Sequence, residues 1–198
     1  MLCMKIYSHR VNTISALEKV NPSYGVEIDL RTYSGNLILA HDPFIEGELF
    51  SEWLKHWRGQ SLILNVKEDA LENSILEYLL KFGITDFFFL DQSYPSIRRT
   101  INMGVTQVAT RVSDFEDVET SLKSGSGWVW LDSFSGNWDF LKEAVPALNQ
   151  NGQRTCLVSP ELQRADSSAE LASLQEMIEK SNFNIDSVCT KIPGAWEK

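Results

Sequence analysis

Apolar positions along this chain alternate between two patterns. Short, mostly apolar runs predict strands, and longer stretches with apolar positions three and four apart predict amphipathic helices. Strands are predicted over residues 5–8, 26–30, 61–66, 87–90, 106–112, 128–131, 155–158 and 187–190. The run 37–40 extends or follows the second of these after the turn Ser34-Gly35-Asn36. The run F-F-F-L over 87–90 is apolar throughout, which predicts burial on both faces.

Helices are predicted between the strands. Asn12 would cap one carrying Ile14, Leu17 and Val20, stopped at Asn21-Pro22. A short one over 51–57 places Trp53, Leu54 and Trp57 on one side. The stretch 71–82 carries Leu71, Ile75, Leu76, Leu79 and Leu80, with Gly83 as its stop. Others are predicted over 95–103, 114–123, 138–148 and 168–180. Strands alternating with helices imply a parallel sheet, and eight such units favour a closed (β/α)8 TIM barrel over an open, doubly wound sheet. At 198 residues the chain reads as one domain, 1–198, at the short end of the range for such barrels, so its loops must be short. No linker, low-complexity segment or short-period repeat interrupts it.

Composition narrows the partners. The net charge of −9 and sequence pI of about 4.8 argue against nucleic acid or an anionic membrane surface, both of which want a basic face. Cys3, Cys156 and Cys189 are odd in number, form no C-x-x-C, and lie in apolar runs, which reads as reduced core thiols in a cytoplasmic protein. The start M-L-C-M-K-I-Y-S-H-R lacks a signal-peptide pattern, and no run approaches a membrane span.

Candidate chemistry gathers in the first third. Glu27 and Asp29 sit two apart inside a predicted strand, which places both carboxylates on one face. Neighbouring carboxylates repel, so the pair calls for a cation; the other reading is the polar face of a solvated edge strand. Of the three histidines, His9 and His41 directly follow strand-like runs, while His56 falls on a predicted helix and reads as a surface residue. Two histidines with a carboxylate pair suit metal-assisted acid–base chemistry. In a barrel the active site lies at the C-terminal strand ends. Those ends carry His9-Arg10, Glu27 and Asp29, Asn65 and Lys67, Asp91, Arg111, Asp132, Ser159 and Lys191. Arg10 and Lys67, beside the acidic pair, could clamp an anion such as phosphate; Asp91, Asp132 and Lys191 read as solvated loop residues.

Together these residues resemble the glycerophosphodiester phosphodiesterase family, within the phospholipase C-like phosphodiesterase barrels. The matching pieces are His9-Arg10, Asn12-Thr13, Gly25 before Glu27-Ile28-Asp29, Thr32 before Ser34-Gly35, His41-Asp42 and Asn65-Val66-Lys67. Weaker echoes are Asp91-Gln92-Ser93 and Thr190-Lys191-Ile192-Pro193. The strong part covers residues 5–67. Val11 stands where the family has glycine, the segment before Asn12-Thr13 is shortened and lacks its glutamate, Asn65 replaces a third-strand glutamate, and Lys191 replaces an aspartate.

The resemblance implies a metal-dependent phosphoric diester hydrolase acting on a glycerophosphodiester-like small molecule. Glu27, Asp29 and the amide oxygen of Asn65 would hold one Mg2+ or Ca2+, weakly because Asn65 is neutral. Arg10 and Lys67 would bind the substrate phosphate, and His9 and His41 would serve as general acid and base. Asn65 also motivates the alternative, a non-catalytic or metal-independent barrel that binds a phosphate ligand. His9, Glu27, Asp29, His41 and Asn65 are expected to converge at one mouth; the oligomeric state is left open.

Overall fold

The structure, a computed structural model, describes residues 4–197. Cys3 lies outside the described residues. Two compact units emerge among them, 7–105, and 106–197 together with 4–6.

In the N-terminal unit the strand β1 (Lys5–Ser8) contributes Tyr7 and Ser8. It is followed by α1 (Ile14–Leu17), β2 (Gly25–Tyr33), β3 (Asn36–Leu39), β4 (Glu48–Leu49) and α2 (Phe50–Trp53), which runs into a 3-10 turn over Leu54–His56. Then come β5 (Leu62–Val66), α3 (Glu72–Phe82), β6 (Phe87–Leu90) and α4 (Tyr94–Asn102). β2 is parallel to β1, Tyr7 facing Gly25, and to β5, Asp29 facing Asn65; β5 is parallel to β6. Every residue of β5 and β6 is buried, as the unbroken apolar run of 87–90 predicts.

β2 is longer than the run 26–30 because its far end folds into a hairpin. Ser34 and Gly35, at φ 49° and 79°, form a two-residue turn with both residues left-handed, and Tyr33 pairs with Asn36. The run 37–40 is therefore an antiparallel neighbour of β2, with β4 antiparallel beyond it. Gly25 is required where β2 starts, since a Cβ there would lie 2.3 Å from the ring of Tyr7. The helix cap is Thr13, whose hydroxyl accepts from the Ala16 N–H, and not Asn12. On α3, Ile75 and Leu79 are buried and Leu80 is 84% exposed, so the apolar stripe is narrower than its leucines suggest.

The C-terminal unit comprises the start of β1, β7 (Ala109–Val112), α5 (Val118–Ser124), β8 (Trp128–Leu131), α6 (Leu141–Gln150), β9 (Arg154–Val158), α7 (Ser168–Ser181) and β10 (Ser187–Thr190). β7, β8, β9 and β10 form consecutive parallel ladders. Cys156 and Cys189 are buried thiols on β9 and β10. The helix predicted from 114 starts only at Val118, because the Asp117 carboxylate caps it by accepting the Glu119 and Thr120 N–H groups. Among the described residues no helix is long and apolar enough to cross a membrane.

Candidate active site

The carboxylate pair lies wholly within the N-terminal unit and is buried, Glu27 at 1% exposure and Asp29 at 0%. That excludes the solvated edge strand. β2 has a parallel neighbour on each side, β1 as far as Val26 and β5 from Val26 to Leu30, and the places where those neighbours end decide what surrounds the two side chains.

β1 stops at Ser8, and the chain then turns through Arg10 at φ 55°, a left-handed conformation uncommon for a non-glycine residue. The turn aims two successive N–H groups at β2. Arg10 N–H donates to Glu27 Oε2 at 2.7 Å, and Val11 N–H donates to the Glu27 main-chain oxygen at 2.8 Å. Asn12 then takes the place of a strand. Its Oδ1 accepts from Asp29 N–H at 2.9 Å, and its Nδ2 donates to Asp29 Oδ2 at 2.8 Å. The same turn leaves His9 Nε2 3.8 Å from Glu27 Oε2, and Arg10 Nε 3.9 Å from Asp29 Oδ2.

On the other flank, β5 places Asn65 opposite Asp29, and Asn65 Nδ2 donates to Glu27 Oε1 at 3.0 Å. Lys67, one side-chain period further along, lies 3.3 Å from Asp29 Oδ1 and 3.5 Å from Asp91 Oδ2. Asp91 follows β6 at φ 59°, so this residue, expected to be an idle loop aspartate, helps to hold the lysine.

The electrostatics of the two carboxylates differ. Asp29 has Lys67 and Arg10 beside it. Glu27 is held by an amide, an N–H and a histidine. Burial first, and the charge of Asp29 second, push the Glu27 carboxyl up from its ordinary 4.5 to about 7, against the lowering effect of its hydrogen bonds. Two buried oxygens of the cluster accept no hydrogen bond among the described residues, Asp29 Oδ1, which has Lys67 Nζ at 3.3 Å, and Asn65 Oδ1. A neutral oxygen acceptor without a donor, next to an undercompensated carboxylate, fits a hard cation that takes oxygen ligands. Among the described residues no group of three or more His, Cys, Asp or Glu side chains is placed to hold a metal ion; the set here is two carboxylates and an amide.

His41 stands apart from this cluster in its contacts. It follows Ala40, whose N–H donates to the Asp29 main-chain oxygen at 3.1 Å. Its Nδ1 lies 2.7 Å from Asp42 Oδ1. The bond to His41 holds the Asp42 carboxyl below its usual range, and the charges of His41, Arg10 and Arg31 add to the effect. His41 and Asn12 line a cavity of about 560 Å3 with Leu39, Ala40 and Ile45 among its walls. His56 is 3.5 Å from Glu18 on the surface, as expected.

In the C-terminal unit the candidate strand-end residues find partners within that unit. Arg111 meets the buried Asp132 at 3.5 Å, and Lys191 contributes its N–H to Glu161, at 2.9 Å. Ser159 donates to the same glutamate. Asn12, which holds Asp29 here, is the residue of the cluster that sequence reading assigned elsewhere. The signal was its place in the Asn12-Thr13 motif, where the threonine alone does the capping.

No family model matches the chain, and no curated protein sequence matches it. Solved structures do. A glycerophosphodiester phosphodiesterase from Agrobacterium tumefaciens str. C58 superposes with a TM-score of 0.71 over 98% of each chain at 14% identity. A putative glycerophosphoryl diester phosphodiesterase from the same organism gives 0.71 over 98% of this chain and 95% of the other, at 12% identity. A chain of the tryptophan synthase complex of Pyrococcus furiosus gives 0.59 over 94% and 86%, at 12% identity. The resemblance to glycerophosphodiester phosphodiesterases in residues 5–67 thus extends, as a likeness of fold, along nearly the whole chain.

Proposed function

We propose that this chain is a metal-dependent phosphoric diester hydrolase for a glycerophosphodiester-like small molecule, built on a closed (β/α)8 barrel. The observation that carries this reading is the buried Glu27–Asp29 pair with His9 at 3.8 Å and an undonated Asn65 Oδ1 beside it. The likeness of fold to phosphodiesterases along 98% of the chain supports the barrel and the reaction class.

Glu27, Asp29 and Asn65 Oδ1 would hold one Mg2+ or Ca2+. When bound, that cation supplies Lewis-acid stabilisation of charge on a phosphate oxygen. Arg10 and Lys67 stand beside the pair and would bind the remaining phosphate oxygens, Lys67 turning from Asp29 towards the substrate. The two histidines divide the proton transfers. Asp42, ionised and therefore only an acceptor, takes the Nδ1–H of His41, so a neutral His41 presents a bare Nε2, the form of a general base. It would take the proton of the attacking water or hydroxyl as that oxygen bonds to phosphorus. His9, beside a carboxylate, would give its proton to the leaving alcohol as the P–O bond breaks.

A panel of glycerophosphodiesters tested with Mg2+ and with Ca2+ decides the matter. Alcohol release that needs either cation and stops on chelation is the expected result. No release with either cation, while a phosphate ester still binds, would overturn it in favour of the second reading, a metal-independent phosphate-binding barrel. One observation favours that second reading: Lys67 at 3.3 Å and Arg10 at 3.9 Å already give Asp29 the cationic company that a metal would supply.

A further inference from the structure

β2 carries a third charged residue in register with the acidic pair. Side chains alternate along a strand, so Arg31 follows Asp29 on the same face as Asp29 follows Glu27. The Arg31 side chain is only 15% exposed, and two of its nitrogens donate to main chain. Nε donates to the His41 carbonyl at 3.0 Å, and Nη1 donates to the Lys67 carbonyl at 3.4 Å. Nη1 also lies 3.6 Å from Glu68 Oε1. Glu68 Oε2 in turn accepts the Thr32 hydroxyl at 2.6 Å and the Thr32 N–H at 3.2 Å.

The sheet explains why these two carbonyls need a donor. The ladder of β2 with β3 reaches Leu30–Leu39, and one more bond, from Ala40 N–H to the Asp29 oxygen, closes it. The ladder of β2 with β5 reaches Leu30–Val66, and the Lys67 N–H then donates to the Leu30 oxygen. Both neighbours therefore leave β2 at nearly the same level, on opposite sides of it. His41 and Lys67 are the first residues past each exit. A guanidinium is planar and rigid, with its donors in a fixed fork, so bonding one carbonyl on each side sets the spacing between the two segments.

We propose that Arg31 is a positioning residue: its guanidinium, steadied by Glu68, ties the segment bearing the His41 imidazole to the segment bearing the Lys67 ammonium. This rests on the phosphodiesterase reading, in which His41 moves a proton and Lys67 binds the phosphate. Positional error at such a pair is costly, since a misplacement of about 1 Å can lower turnover on the order of 10²-fold. Charge alone would not do this. A lysine at 31 keeps the charge but has one nitrogen, and cannot span both carbonyls.

The experiment uses R31K and E68Q in the full chain, with bis(p-nitrophenyl) phosphate and Mg2+ as the probe, and amide hydrogen exchange as a readout independent of activity. The expected result for R31K is a fall in kcat of roughly 10²-fold with KM little changed, together with faster exchange confined to the segments after Ala40 and after Val66. E68Q should move both readouts the same way and less. Wild-type kcat in R31K, or a raised KM with kcat intact, would overturn the proposal. If the wild type does not cleave the probe, the phosphodiesterase reading loses this substrate and exchange decides the positioning. Unchanged exchange in R31K overturns the tie, and faster exchange at both segments supports it. Should R31K not fold, E68Q carries the same two outcomes.

Discussion

In the C-terminal unit, Asp132 at the end of β8 is buried, and both of its oxygens accept from Gln163 Nε2, at 3.0 and 2.9 Å. The Ser133 N–H adds a bond at 2.9 Å and Arg111 adds its charge at 3.5 Å. Glu170 likewise takes the Trp138 indole N–H at 2.7 Å and Arg164 Nε at 2.8 Å, and Asp114 takes the N–H groups of Phe134 and Ser135. In the N-terminal unit Glu27 is as deeply buried as Asp132, but its carboxyl is pushed up to about 7, and among the described residues the adjacent Asn65 Oδ1 has no donor. A charged residue at a strand end is therefore no sign of a site. The sign is a buried acidic group whose charge its neighbours leave undercompensated, beside a polar atom they leave without a donor, since a protein gains nothing in stability from that arrangement.

The sharpest way to break this contrast is to remove the histidines. His9→Ala and His41→Ala should each lower phosphodiester turnover by roughly 10²–10⁴-fold while circular dichroism and melting stay near wild type. Wild-type turnover in either variant would remove that residue from the mechanism. Next come the carboxylates. Asp29→Asn should cost on the order of 10²–10³-fold in cation-dependent turnover. Asp132→Ala should leave turnover within a few-fold and instead cost about 2 kcal/mol in denaturant melts, because it strands the Arg111 and Gln163 donors. If the two variants exchanged phenotypes, the contrast between the units would be reversed.

A pH titration of stability sharpens the comparison further. The Glu27 carboxyl is raised in the folded protein, so the unfolded chain ionises first as pH climbs. The advantage to the fold is complete below about 4.5 and is lost as pH rises through about 7, a change of up to roughly 3 kcal/mol that Glu27→Gln should flatten. Chemical denaturation across that window, without divalent cation, measures it. Adding Mg2+ or Ca2+ should recover the loss above pH 7, because the cation favours the ionised carboxylate.

The smallest expected effect is at Asn65. Asn65→Glu adds a negative ligand and removes the donor to Glu27, so it should tighten cation binding on the order of tenfold by calorimetry and lower stability when no cation is present. Equal affinity in a folded Asn65→Glu protein would show that position 65 does not touch the cation.

Short-range geometry was legible in the amino-acid order alone. The two-residue alternation of a strand places Glu27 and Asp29 on one face whatever surrounds them, and the alternation of apolar runs with amphipathic stretches sets the order of strands and helices. The histidines at 9 and 41 stood out because each closes an apolar run. Residue partners did not. Asn12 grips Asp29 across 17 residues, Asn65 gives its N–H to Glu27 across 38, and Arg31 reaches the Lys67 carbonyl across 36. Each pairing depends on the register of separate strands and on where each ladder stops. The same holds for Asp91, read as an idle loop residue and found beside Lys67, and for the run 37–40, whose antiparallel direction comes from the Ser34-Gly35 turn. It took the folded chain to show that Asp132 is fully bonded while Asn65 Oδ1 is left without a donor among the described residues, because hydrogen-bond capacity is used up by neighbours in space and not by neighbours along the chain.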